Sequence, residues 1–256
     1  MKRLLLVGII LSLCGGLLLA QPKPKSQKEL DAIMAIFNAP DPDGRIAAAQ
    51  NLITKFADTE FKATALQIMT DSYFQKNDAE NVLVYGEKTL EADPKNYSAM
   101  ILMSRALAYR TREFDLDKEE KLTRAEKLAN QANEILKTAA NPNPAQVTAD
   151  QWEQARKDYQ SQAYDALGMC AMVRKKYDVA IENLKQSQTL AQQPAPETSA
   201  QMAIAYNNLG KYDDAIAAAD KAMADPNASG STKQRASQEK AKANQAKAKA
   251  AAPPKP

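Results

Sequence analysis

The chain has no histidine among its 256 residues, and that absence removes the commonest partner in nucleophilic and metal chemistry. Without it there is no Ser-His or Cys-His couple and no His-ligated metal site. Cysteine adds little. Cys14 lies in an apolar leader, so the body keeps one thiol, Cys170, which cannot close an intrachain disulfide. Cys170 stands beside Gly168 on an apolar face, where a small cysteine is usually packed rather than reactive. Carboxylate acid–base chemistry is the remaining route, and no spacing marks a particular pair among the 31 Asp and Glu. The expectation is a chain that is not an enzyme and carries no cofactor or metal.

Lys2 and Arg3 precede an uncharged run from Leu4 to Leu19 that ends in LLLAQPKPK. A basic start, a short apolar stretch and a small residue before a polar segment describe a secretory signal peptide, residues 1–20, cleaved after Ala20. The run is short for a membrane span, and Gly15-Gly16 weakens a helix there. Lipid attachment at Cys14 is the alternative, although Leu13 departs from the small residue that such a motif wants. Export to the periplasm or the extracellular space is therefore expected. Of the formal net charge of +3, the leader supplies +2 and the segment from Lys233 onward +6, which leaves residues 21–232 at −5. An acidic body with a basic tail speaks of surface partners and opposes specific nucleic-acid binding.

The phrase Lys-Tyr-Asp-x-Ala-Ile occurs at Lys176 and again at Lys211, 35 residues later. A fixed period of about 20–50 residues means one supersecondary unit used repeatedly. Around both phrases apolar residues recur at helical spacing. Tyr164, Leu167, Gly168 and Ala171 share a face of one helix, and Tyr177, Ala180, Ile181, Leu184 and Ser187 a face of the next. The second copy repeats this with Met202, Ala203 and Tyr206, then Tyr212, Ala215, Ile216, Ala219 and Ala222. Lys175-Lys176 and Gly210-Lys211 read as the turns. A third copy has Leu66, Met69, Thr70 and Tyr73, a turn at Asn77, then Val82, Gly86 and Thr89, and closes on LEADPKN. Gly168, Ala180 and Ala215 are small where two helices must cross closely.

These units resemble the tetratricopeptide repeat (TPR) family over roughly residues 45–228, as an exported bacterial-type member. The resemblance implies an all-α, right-handed superhelical solenoid of about five helix-turn-helix hairpins. The expected division is a linker at 21–25, an N-terminal hairpin at 26–62, repeat units at 63–96, 97–138, 148–193 and 196–229, a Pro/Asn linker at 139–147, and a basic tail at 230–256. Ser26 to Glu29 and Thr148 to Gln151 are capping-box patterns that start helices. The charged stretch Arg110 to Lys127 reads as a solvated helix with pairs such as Glu120 with Arg124. In the tail, large apolar residues are missing after Ala236, so docking is expected only near Thr232–Ser237, with a frayed basic arm from Glu239.

Members of the family generally bind peptides or protein segments on a concave surface built from each unit's first helix. Carried over position by position, the resemblance implies that Gln67, Asp71, Phe74 and Gln75 face the partner in one unit. Ile101, Arg105 and Tyr109 follow in the next, then Asp165, Met169, Met172 and Val173, and finally Ile204, Asn207 and Asn208. Val173 and Ile204 are also placed to pack against neighbouring helices. The Lys/Asn carboxylate clamp of chaperone-binding relatives is missing from these faces. The reading is an exported scaffold or adaptor for a protein or peptide. Two alternatives stay open: tethering of the basic tail to an anionic membrane or envelope polymer, and an accessory role in a cell-wall enzyme. The segment after the repeats is expected to be too short for a catalytic domain like that of lytic transglycosylases.

Overall fold

The computed structural model describes residues 22–251, so the leader and Cys14 lie outside the described residues. Eleven α-helices and no strand are present among them. They are α1 (Gln27–Asn38), α2 (Pro42–Lys55), α3 (Lys62–Gln75), α4 (Ala79–Ala92), α5 (Tyr97–Arg110), α6 (Lys118–Thr138), α7 (Ala149–Val173), α8 (Tyr177–Leu190), α9 (Pro196–Asn208), α10 (Tyr212–Ala224) and α11 (Gly230–Ala251). Each helix packs on the next, so the chain is a row of five hairpins closed by α11. First helices also touch along the row, α3 on α5, α5 on α7 and α9 on α11. No helix among the described residues is long and apolar enough to cross a membrane.

Local sequence explains where helices begin. Asp41, Asp78, Asn96 and Thr148 each accept a hydrogen bond from the backbone N–H three residues on, which satisfies an otherwise free donor. At Thr148 the box is complete, since Gln151 Oε1 accepts the Thr148 N–H at 2.9 Å. At Ser26 it is not: Glu29 accepts the N–H of Lys25 and, buried, the hydroxyl of Thr59 at 2.7 Å. Its carboxylate ties the first hairpin to the entry of α3 instead.

Three hairpins turn by one device. Asn77, Lys175 and Gly210 hold the left-handed φ values 58°, 61° and 70° two residues after their first helix ends. The following N–H groups, of Asp78, Lys176 and Lys211, reach back to the carbonyls of Tyr73, Ala171 and Tyr206 at 2.9–3.0 Å. That pattern satisfies helix-end carbonyls and reverses the chain in three residues. A reversal this short presses the helices together, so small residues are required at the contact. A Cβ on Gly168 would stand 2.7 Å from Leu184 Cδ2, and one on Gly86 2.5 Å from Met103. Ala180 and Ala215 are fully buried.

The core runs the length of the row. Ile33, Ile36, Leu52 and Met69 fill its first part, and Met103, Leu122, Leu136 and Cys170 the middle. Burial pushes the Cys170 thiol up to about 12, which makes it a packing group. Toward the end the core is mostly alanine: Ala200, Ala203, Ala219, Ala222 and Ala236.

Two expectations are corrected here. Arg124 does not pair with Glu120; it reaches Glu87 on α4, joining two hairpins. The tail does not fray at Glu239, because α11 continues to Ala251. Thr232, Ala236, Glu239 and Ala243 are buried at spacings that keep one face on the row. Alanine supplies little apolar area but lets α11 lie close to α10. Lys240 pairs with Asp220 and Lys247 with Asp213, two bridges one heptad apart along the antiparallel contact.

The close crossing is testable by stability. Gly168→Ala should cost about 1–3 kcal/mol, since Leu184 is fully buried and has nowhere to move. Gly230→Ala, where a Cβ meets nothing within 4 Å, should stay within about 0.5 kcal/mol of the parent in urea unfolding. Equal effects at both positions would contradict the contact.

Candidate functional site

A concavity of about 860 Å³ lies where α3 and α4, α5, α7 and the α8–α9 connection meet. Phe74, Arg105, Tyr109 and Asp165, four of the residues placed on the binding face, line it together. Ala79, Val82, Ala106, Ala191 and Ala195 give it apolar wall, and Asn77, Gln162, Gln192 and Gln193 give it amides.

Its centre is a carboxylate deprived of water. Asp165 on α7 is only 7% exposed. Tyr109 of α5 donates to its Oδ2 at 2.6 Å, and Thr198 of α9 donates to Oδ1 at 3.5 Å. Arg105 Nε lies 3.8 Å from Oδ2, while its Nη1 donates to Gln162 Oε1 at 3.2 Å. Burial lifts the Asp165 carboxyl above its ordinary range, opposed by Arg105, Tyr109 and Thr198. Tyr109 is raised as well, by burial of its hydroxyl and by Asp165. Tyr109 as a whole is 37% exposed and lines the cavity. The Arg105 guanidinium lies over the Phe74 ring at 4.9 Å, which flattens it against the wall. Three first helices are thus joined, and Thr232 of α11 extends the chain of contacts by donating to Glu197 at 2.6 Å.

Asp71 and Gln67 sit deeper along α3. Burial raises the Asp71 carboxyl to about 6, moderated by the Gln67 amide and Arg45. Gln67 accepts from Asn96 at 2.9 Å, and the exposed Gln75 accepts from Arg45 at 2.6 Å; neither lines the cavity. Tyr159 of α7 packs edge-on to Tyr97 at 5.1 Å.

The other expected face residues fall elsewhere. Ile101 is 1% exposed and belongs to the core, because the long α7 lies against α5 where a partner would have to enter. Met169 and Val173 pack against the middle core and Met172 against the next one. Asn207 donates to Glu239 Oε2 at 2.8 Å and to the Glu239 carbonyl at 2.9 Å, so α11 has taken it. Asn208 bonds only within its own helix, to the Ile204 carbonyl. Ile204 is half-buried. Gln162, Glu197 and Thr198 line the same cavity but are not among the residues the sequence singles out. Gln162 could have been found, since it precedes Asp165 by one helical turn; Glu197 and Thr198 sit in the first turn of α9, where family positions give no guide.

No family model matches the chain, and no curated protein matches it. Among solved structures it is similar to TTC0263, a thermophilic TPR protein of Thermus thermophilus, at 16% identity and a TM-score of 0.53, covering 83% of this chain and 97% of that one. It is also similar to MamA (18% identity, 72% of this chain and 96% of that one, TM-score 0.37) and to Acl4, an assembly chaperone of RpL4 (10% identity, 90% and 100%, TM-score 0.47). The first of these shows the fold: all-α, helices in sequential pairs, TPR-like.

The raised Asp71 carboxyl gives a pH prediction. Its folded value of about 6 exceeds the ordinary 3.8, so its contribution to stability is fully present below pH 3.8 and is lost as pH rises through 6. Relative to Asp71→Asn, the parent should therefore lose on the order of 2 kcal/mol between pH 4 and pH 7 in denaturant titrations. A difference independent of pH would mean that the carboxyl is solvated.

Proposed function

We propose that the chain is an exported, non-enzymatic helical-repeat scaffold that holds a short segment of a protein partner in the cavity between α3, α5, α7 and the α8–α9 connection. The observation that carries this reading is Tyr109: a part-exposed tyrosine that lines the cavity and is anchored by a 2.6 Å hydrogen bond from its hydroxyl to the buried Asp165 carboxyl. Such a side chain needs no ordering when a ligand arrives, and tyrosine is among the residues that dominate interface energies. Arg105, spread on Phe74, adds a second immobilised surface. The amides of Gln162 and Gln193 suit the backbone of a peptide, and the alanine-rich walls suit its small or apolar side chains. The TPR-like arrangement supports a partner-binding role, and the N-terminal leader supports an envelope or extracellular location.

The tail reading is weaker. Lys240, Lys242 and Lys247 are in ion pairs with the chain itself, so fewer cations face outward than the sequence offers.

A photocrosslinking residue at Gln193 should trap a discrete partner in producing cells, and one at Gln238 on the outer side of α11 should not. Ala195→Trp, at an exposed position on the cavity wall, should reduce trapping at least about tenfold with helix content unchanged. Undiminished trapping by the filled cavity would remove the site.

A further inference from the structure

We propose, resting on the partner reading above, that the segment held in the cavity is basic and seats a lysine or arginine against the side formed by α7 and the α8–α9 connection. Six charged residues line the cavity, and they are unevenly placed. On the α3–α5 side stand Arg105, Arg110 and Asp78. Hydrogen bonds from Asn81, and then the charges of Lys76 and Arg110, hold the Asp78 carboxyl below its usual range, so that acid is offset locally. On the other side stand Asp158, Asp165 and Glu197, and no base. Arg105 reaches across to Asp165 at 3.8 Å, which leaves Asp158 and Glu197 without a counter-charge.

Neither of these two is in an ion pair among the described residues, and each keeps one oxygen with no protein donor among them. Asp158 Oδ1 accepts the Gln192 N–H at 2.7 Å and the Gln154 amide at 3.2 Å, and Glu197 Oε1 accepts the Thr232 hydroxyl at 2.6 Å. Those donors are neutral, so they hold the carboxylates in place without cancelling their charge. Glu197 stands in the first turn of α9, whose N-terminal dipole is worth about half a charge and offsets it only in part. Its field reaches inward. Behind burial, and behind Asp165 in the case of Tyr109, Glu197 is a further cause of the raised Asp165 carboxyl and Tyr109 hydroxyl. Like charges along one side of a cavity repel an acidic segment and favour a basic one. Ala191 and Ala195 give the same side apolar wall, which suits the aliphatic stem of a lysine or arginine whose head stays with the carboxylates.

Affinity selection of short random peptides on the full chain tests this. The parent should enrich lysine or arginine at one peptide position by about tenfold over the input library. A selected peptide should bind Asp158→Asn/Glu197→Gln about tenfold more weakly, with circular dichroism unchanged, and its counterpart with glutamine for the basic residue should bind parent and variant alike. Asp158→Glu/Glu197→Asp, which keeps both charges, should retain the basic preference. Ala195→Trp should abolish capture of all selected peptides. Neutral or acidic peptides that are captured by the parent and excluded by Ala195→Trp would overturn the charge assignment and leave the cavity reading standing. Capture that Ala195→Trp leaves untouched, or no capture at all, would overturn both. A basic preference undiminished in Asp158→Asn/Glu197→Gln would place the cation on other acids and overturn the assignment.

Discussion

The close crossing of helices within and between hairpins is the contact on which the rest of the molecule depends. With three residues for the reversal between Val173 and Tyr177, the helices cross so closely that Gly168 meets Leu184 with no room for a Cβ between. Gly86 does the same for Met103 across two hairpins. Dense packing at these points sets the spacing of the first helices, and that spacing decides which side chains can meet across the row. Where the spacing is regular, helix faces close on one another. Between α5 and α9 it leaves the cavity.

The cavity wall is organised around a group that would be costly to bury alone. An unpaired carboxylate removed from water destabilises a fold, so Asp165 requires donors. Tyr109, Thr198 and Arg105 come from two other helices to supply them. A side effect of that satisfaction is rigidity: the Tyr109 ring and the Arg105 plane become fixed surfaces. In the proposed reading, the bonds that satisfy Asp165 are also those that hold the partner-facing side chains in place.

Much of the fold is legible in the sequence because periodicity and turn chemistry agree. Tyr177 and Tyr212, the tyrosines of the repeated phrase, open α8 and α10, and the residues before them carry the left-handed turns. The tail is not legible from large apolar residues alone. Ala236 and Ala243 dock by closeness, and Glu239 docks by bonding Asn207. The site is half legible. Phe74, Arg105, Tyr109 and Asp165 converge, but Ile101 and Asn207 occupy equivalent positions and are covered by α7 and α11. Position within a repeat tells which way a side chain leaves its helix. It does not tell what a longer neighbouring helix places in front of it, and α7, at 25 residues, is a long one.

The central claim is that this cavity, rather than another face, receives the partner segment. Alanine methyl NMR spectra of the chain, recorded as a peptide selected from a random library is added, address it most directly. Methyls of Ala79, Ala106, Ala191 and Ala195, on the cavity wall, should shift in saturable fashion, while those of Ala217 and Ala241, exposed on α10 and α11, stay in place. Saturable shifts at Ala217 or Ala241 with the wall methyls unmoved would contradict it.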